Sequence, residues 1–290
     1  MSLLLLYVAC RAIHFLALMQ LIGIAVFLYV LIPAENVDWF VLRTRNLLNS
    51  CILLLTFSTF AILPLQSGMM GNGWGDVLRP DIWLLVLTTS FGEVWRWHLL
   101  LVATLCLATL CNSTVFTRAY IAMVSTLLLV SHALLGHAAD NVGLLTLSHA
   151  IHLLATAYWL GGLLPLMYCL KQRQHLASHA AMQTALIRFS RYGHFAVVLV
   201  VFSGLLNCVL IMPGWSWNFT SLYQNLLIVK VVLVFLMIFL AIRNRYYWVP
   251  QLAKGSSAVC RRIALNVTLV MIIGVVAIIL VSLFATLSPA

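Results

Sequence analysis

The sequence predicts an all-α protein: one polytopic membrane bundle of about eight transmembrane helices covering residues 1–290. Three observations carry that expectation. Hydrophobic residues make up 64% of the chain and charged residues only 8%, where a soluble domain is about one quarter charged. Apolar runs of about 20 residues recur, each long enough to cross about 30 Å of hydrocarbon. The net charge of +10 gathers at alternate connections, as the positive-inside rule requires of a multi-pass protein, so it does not point to nucleic acid.

Taken in order, the spans fall at roughly 4–32, 47–66, 95–112, 118–138, 144–170, 190–212, 223–247 and 263–287. The first has no basic segment ahead of it and is too long for a signal core, so it reads as a retained helix. The second follows Arg43 and Arg45. Between spans two and three lie GMMGNGWGD and the apolar DIWLLVLTTSFG. The latter is too short to cross and suits an interfacial or re-entrant helix. The third span opens with Trp95-Arg96-Trp97-His98, the fourth with Arg118. The fifth carries His149 and His152 and then Gly161-Gly162 and Pro165, which allow close packing and a local break. Residues 171–189 read as a polar amphipathic connection. Lys230 lies about a third of the way into the seventh span. The seven cysteines form no CxxC and sit mostly in apolar runs, where they act as small packing residues.

Loop charges set the orientation. Twelve basic residues, from Arg43, Arg45 and Arg118 through Lys171, Arg173, Arg188 and Arg191 to Arg243, Arg245, Lys254, Arg261 and Arg262, fall on one side. Both termini are therefore expected on the non-cytoplasmic, periplasmic side. Depth follows from orientation. Six of the nine histidines, His14, His98, His132, His137, His149 and His152, fall in the outer half. Histidine within a bilayer is costly and marks function. For any one of them, a hydrogen bond between helices is the competing reading.

Neutral imidazoles with thioethers nearby suit a soft or borderline metal, copper above all. His149 and His152 share one helix face. They join His137 as the expected principal ligands, with His14 and His132 next. Met69 and Met70 are candidates for metal entry. The same residues admit a haem b held by two facing histidines, with Arg11 or Arg96 on a propionate. Arg11 shares a face with His14, and Lys230 should face a polar cavity or a partner such as Asp76 or Glu93. Trp74, Trp95, Trp97, Trp215 and Trp217 are expected in the outer aromatic belt. No P-loop, GxSxG or HExxH is present. With only six acidic residues, an enzymatic role is not expected.

The stretches RAIHFLALMQLIG (11–23), GHAAD with HAIHLLATAYWLGGLLPL (136–166), RFSRYGHFAVVLVVFSGL (188–205), LYQNLLIVKVVLVFLMIFLAIRNRYYWVPQL (222–252) and CRRIALN (260–266) resemble the copper resistance protein D (CopD) family of bacterial inner-membrane proteins. The resemblance runs over nearly the whole chain and is closest to short members without a fused CopC domain. It implies eight spans and copper transport across the inner membrane. It also implies a separate periplasmic CopC-like carrier as partner. Arg11, His14, His137, His149, His152, Trp159 and Lys230 fall at family positions. Asn266 stands where family members often have glutamate. The expected function is transfer of copper from that carrier across the membrane. The alternatives are a b-type haem electron carrier and a docking partner for the carrier that transports nothing.

Overall fold

The computed structural model describes residues 2–111, 114–135, 143–172, 179–212, 220–254 and 257–287. Among them are ten α-helices and no strand: α1 Leu3–Val26, α2 Val37–Met70, α3 Trp74–Val77, α4 Pro80–Val86, α5 Ser90–Ala108, α6 Val115–Ser131, α7 Leu144–Gln172, α8 His179–Ile211, α9 Leu222–Arg243 and α10 Ser257–Phe284. Eight helical stretches are long and apolar enough to cross a membrane. The protein is an all-α, multi-pass membrane bundle. Only such a structure satisfies the backbone within each span when no water is at hand.

Helix starts are written in the sequence. Ser2, Thr89, Thr114 and Ser221 each accept a hydrogen bond through the side chain from the backbone N–H three residues on. This pairs donors that the first turn cannot. The helices are apolar all round, so composition does not separate core from perimeter. Packing does. Helix α1 touches α2, α6, α7 and α10, and α7 touches α8, α6 and α10. These two helices form the centre, while Phe57, Phe60, Phe202, Phe235 and Phe239 face outward, an apolar surface suited to lipid.

The centre is held by contact of backbone on backbone. A Cβ added at Gly23 would lie 2.1 Å from the Gly161 carbonyl oxygen, and one at Gly161 would lie 1.9 Å from the Met19 oxygen. Only glycine fits at either position, and α1 and α7 therefore cross as closely as helices can.

Three expectations need correction. Helix α7 runs unbroken through Pro165, because the carbonyl that the proline leaves free finds a donor on α1, the side chain of Gln20. Helix α2 begins at Val37, not near residue 47. Asp38, Arg43 and Arg45 end the apolar run, but hydrogen bonding continues past the apolar boundary, with Phe40 buried and stacked on Phe27. Helix α8 begins at His179, inside the stretch read as a polar connection. The short α4 occupies the stretch expected to form a non-spanning helix.

Candidate metal centre

Four helices that share one end of the bundle meet around a group of histidines. His14 comes from α1 and His98 from α5. His132 opens the 3-10 turn His132–Leu134 that closes α6. All three are buried. Each offers a ring nitrogen to a group whose members all lie within 4.8 Å of one another. Ring centroids are 4.7 Å apart for His98 and His132, 5.1 Å for His14 and His132, and 5.6 Å for His14 and His98. His14 lies eleven residues beyond Leu3, about 16 Å along α1, which puts the group well inside the hydrocarbon.

Hydrogen bonding fixes which nitrogen of each ring is free. Ser58 and Thr59, on α2, donate their hydroxyl protons to the Leu55 carbonyl over 3.0 and 2.7 Å. Their oxygens each lie 3.3 Å from His14 Nδ1 and so accept from an Nδ1–H. His98 Nδ1 lies 3.2 Å from the Val94 carbonyl and His132 Nδ1 lies 2.8 Å from the Leu128 carbonyl. A carbonyl only accepts, so both rings carry their proton on Nδ1. All three Nε2 atoms therefore hold a lone pair. His14 Nε2 and His98 Nε2 are buried without any hydrogen-bond partner. Leaving such an acceptor unpaired costs about 1–3 kcal/mol, and a metal ion would relieve it. This is the usual arrangement of metal-binding histidines, with one ring nitrogen anchored and the other presented.

Aromatic packing holds the rings in place. Trp95 stacks on His98 at 4.7 Å and 9°, and its Nε1 donates to the Thr59 carbonyl over 3.1 Å. Phe15 lies 4.7 Å from His132. The Arg11 guanidinium sits 5.8 Å from the Phe15 ring centre, within electrostatic reach of His14, His132 and His149. Trp95 is thus a wall of the site and not part of an interfacial belt, whereas Trp74 and Trp97 are exposed.

The remaining expected site residues lie elsewhere. His149 and His152 are on α7, half-buried. His152 Nδ1 donates to Ser203 Oγ on α8 over 3.1 Å, and Ser203 passes its own proton to the Leu199 carbonyl. His152 thus sits at the seam between α7 and α8, and Lys230 is the electrostatic neighbour of both histidines. Lys230 Nζ lies 5.8 Å from the Phe284 ring centre. Asp76 is not its partner: that carboxylate takes the Asn72 N–H at 2.7 Å and pairs with Arg79 at 3.7 Å. Met69 and Met70 are exposed at the end of α2, and Trp159 is buried in the core. Asn266 Nδ2 donates to Asn244 Oδ1 over 2.8 Å. His137 lies outside the described residues. In the sequence His98 stands out by depth alone, outside the expected ligand set. Its grouping with His14 and His132 is set by packing, with no trace in local spacing.

The fold and this cluster define a class: a multi-pass membrane protein with three neutral imidazoles converging inside its bundle. Residues 1–147 match the family model for the copper resistance protein D-like N-terminal domain, and residues 183–284 match the model for copper resistance protein D. The chain belongs to the copper resistance protein D family. It is 36% identical to the inner membrane protein YebZ of Escherichia coli K12 over 98% of both chains. It is 28% identical to copper resistance protein D of Pseudomonas syringae pv. tomato, over 97% of this chain and 96% of that one. It is 29% identical to the copper transport protein CutJ of Bacillus subtilis, over 77% of this chain and 43% of that protein. No solved structure matches.

Proposed function

We propose that this chain is an inner-membrane copper transporter whose intramembrane binding site is His14, His98 and His132. The observation that carries the reading is the set of anchored Nδ1 protons, which leaves each Nε2 its lone pair, with those of His14 and His98 buried and without a hydrogen-bond partner. A trigonal site with metal–nitrogen bonds of about 2 Å needs its nitrogens about 3.5 Å apart. A group already within 4.8 Å closes to that spacing with ring movements of about an ångström. The cargo is copper, as the relatives' names support, and its form here is Cu(I). The desolvation cost of an ion grows with the square of its charge, and three neutral ligands beside Arg11 offer nothing to offset a second charge.

A haem fits this cluster poorly. Axial imidazoles on opposite faces of an iron stand about 6 Å apart, centre to centre, with a porphyrin between them. Here the three rings contact one another, and Trp95 and Phe15 fill the flanks.

Copper arrives at the outer face from a separate CopC-like periplasmic carrier and leaves at the basic, cytoplasmic end. Periplasmic termini follow from the same charge distribution. Met69 and Met70, on the outer end of α2, are placed for capture. Metal analysis of the purified protein, followed by copper uptake into proteoliposomes, tests the proposal. We expect one tightly held copper per chain, lost in His98→Leu, and uptake that depends on the same residue. Copper binding without uptake would make the chain a docking partner instead. A Soret band with no copper would overturn the reading.

A further inference from the structure

The bundle end opposite the histidines carries a second built feature. Helix α9 ends at Arg243, continues as a π-turn over Asn244–Trp248, and is followed by α10. Two arginines from different helices close on one indole. The Arg243 guanidinium carbon lies 5.8 Å from the Trp248 ring centre, and that of Arg262 lies 4.9 Å from it. Neither guanidinium has an acidic partner among the described residues, whose ion pairs are those of Arg79. Trp248 is only 7% exposed, and its Nε1–H is buried with no acceptor. The arrangement thus gathers two permanent cations and an orphaned N–H donor, and lacks a counter-charge.

Depth and surroundings indicate what supplies that charge. Arg243 stands 21 residues beyond Leu222, about 32 Å along a helix, so it lies one hydrocarbon thickness from the far interface. Exposed Tyr246 and Tyr247 flank it, as expected at headgroup level. On the bilayer side of the arginines, Phe239, Ile242, Leu265 and Leu269 are exposed on the same two helices, a surface suited to acyl chains. Guanidinium forks match phosphate oxygens, and basic pockets between spans are typical anionic-lipid sites.

We infer that Arg243, Trp248 and Arg262 form a binding site for the phosphodiester headgroup of an anionic phospholipid. Asn266, bonded to Asn244, braces the turn that presents Trp248.

The test uses the full chain, purified and exchanged into nanodiscs or detergent micelles. Phosphatidylglycerol, phosphatidylcholine and inorganic phosphate are supplied separately, and bound lipid is counted by native mass spectrometry. Wild type should retain phosphatidylglycerol over phosphatidylcholine. Arg243→Gln with Arg262→Gln should reduce that retention about tenfold or more, the loss of two charge-assisted contacts. Trp248→Phe keeps an aromatic face for the guanidinium groups and removes the N–H, and should give a smaller loss of retention than the double arginine variant. Arg245→Gln with Arg261→Gln, neighbours outside the clasp, should change retention little. Equal retention of both lipids overturns the site, as does an unaffected double variant. Full competition by inorganic phosphate at millimolar concentration would reassign it to a free anion. Copper binding at the histidines is read separately in the same samples and does not bear on the outcome.

Discussion

Gln20 Nε2 donates to the Gly161 carbonyl across 2.8 Å, at the one carbonyl of α7 that Pro165, lacking an N–H, cannot serve. Two residues 141 positions apart thus repair a defect that would otherwise sit unpaired in hydrocarbon. Gln20→Leu should cost about 1–3 kcal/mol, measured as a lower melting temperature in detergent. Adding Pro165→Ala returns a donor to α7 and should recover most of that loss. A double variant no better than Gln20→Leu alone would mean that the bond does not offset the proline.

The crossing of α1 and α7 should tolerate no side chain at its centre. Gly23→Ala and Gly161→Ala each force a methyl to within about 2 Å of backbone atoms of the other helix. Backbone cannot swing aside as a flexible side chain can, so each should cost about 1–3 kcal/mol or more. Monodisperse yield and thermal unfolding report this. Gly143→Ala, whose added methyl meets none of the described residues within 4 Å, is the control.

Copper stoichiometry should separate the two histidine groups. His14→Leu, His98→Leu and His132→Leu should each abolish tight binding. His149→Leu with His152→Leu should leave stoichiometry near wild type and affect uptake only. If the second pair removes the metal and the first three variants do not, the intramembrane site lies at the seam of α7 and α8. Binding should also weaken in acid, because a protonated Nε2 has no lone pair.

Ser58→Ala with Thr59→Val tests the anchoring of His14 without touching a ligand. Removing both acceptors of Nδ1–H frees the ring to rotate and change tautomer. Copper affinity should fall about 10- to 100-fold while the stoichiometry at saturation is kept. A competition titration against a Cu(I) chelator reads the difference. An unchanged affinity would mean that ring packing alone orients His14.

Much of the architecture is legible in the sequence. Span count and the short non-spanning helix after α2 follow from hydropathy and length. Azimuth does not. His149 and His152 drew attention because spacing along one helix reveals only pairs on that helix. The triad takes one residue from each of three helices, and nothing local marks such a set. Trp95 shows the same limit: beside Arg96 and Trp97 it looks interfacial, but a 100° step around α5 turns it inward. Gln20 was invisible because its partner carbonyl, made available by a proline, lies on another helix.

The histidine cluster has a consequence for synthesis. His14, Ser58, Thr59, His98 and His132 all precede residue 136, and the helices that bear them are α1, α2, α5 and α6. A ribosome delivers these first, N-terminal segments leading. Every side chain that anchors or presents a donor atom has therefore been synthesised before α7 is made. The whole candidate donor set thus belongs to the older half of the nascent chain, and Gly161 of α7 closes on Gly23 of α1 only afterwards.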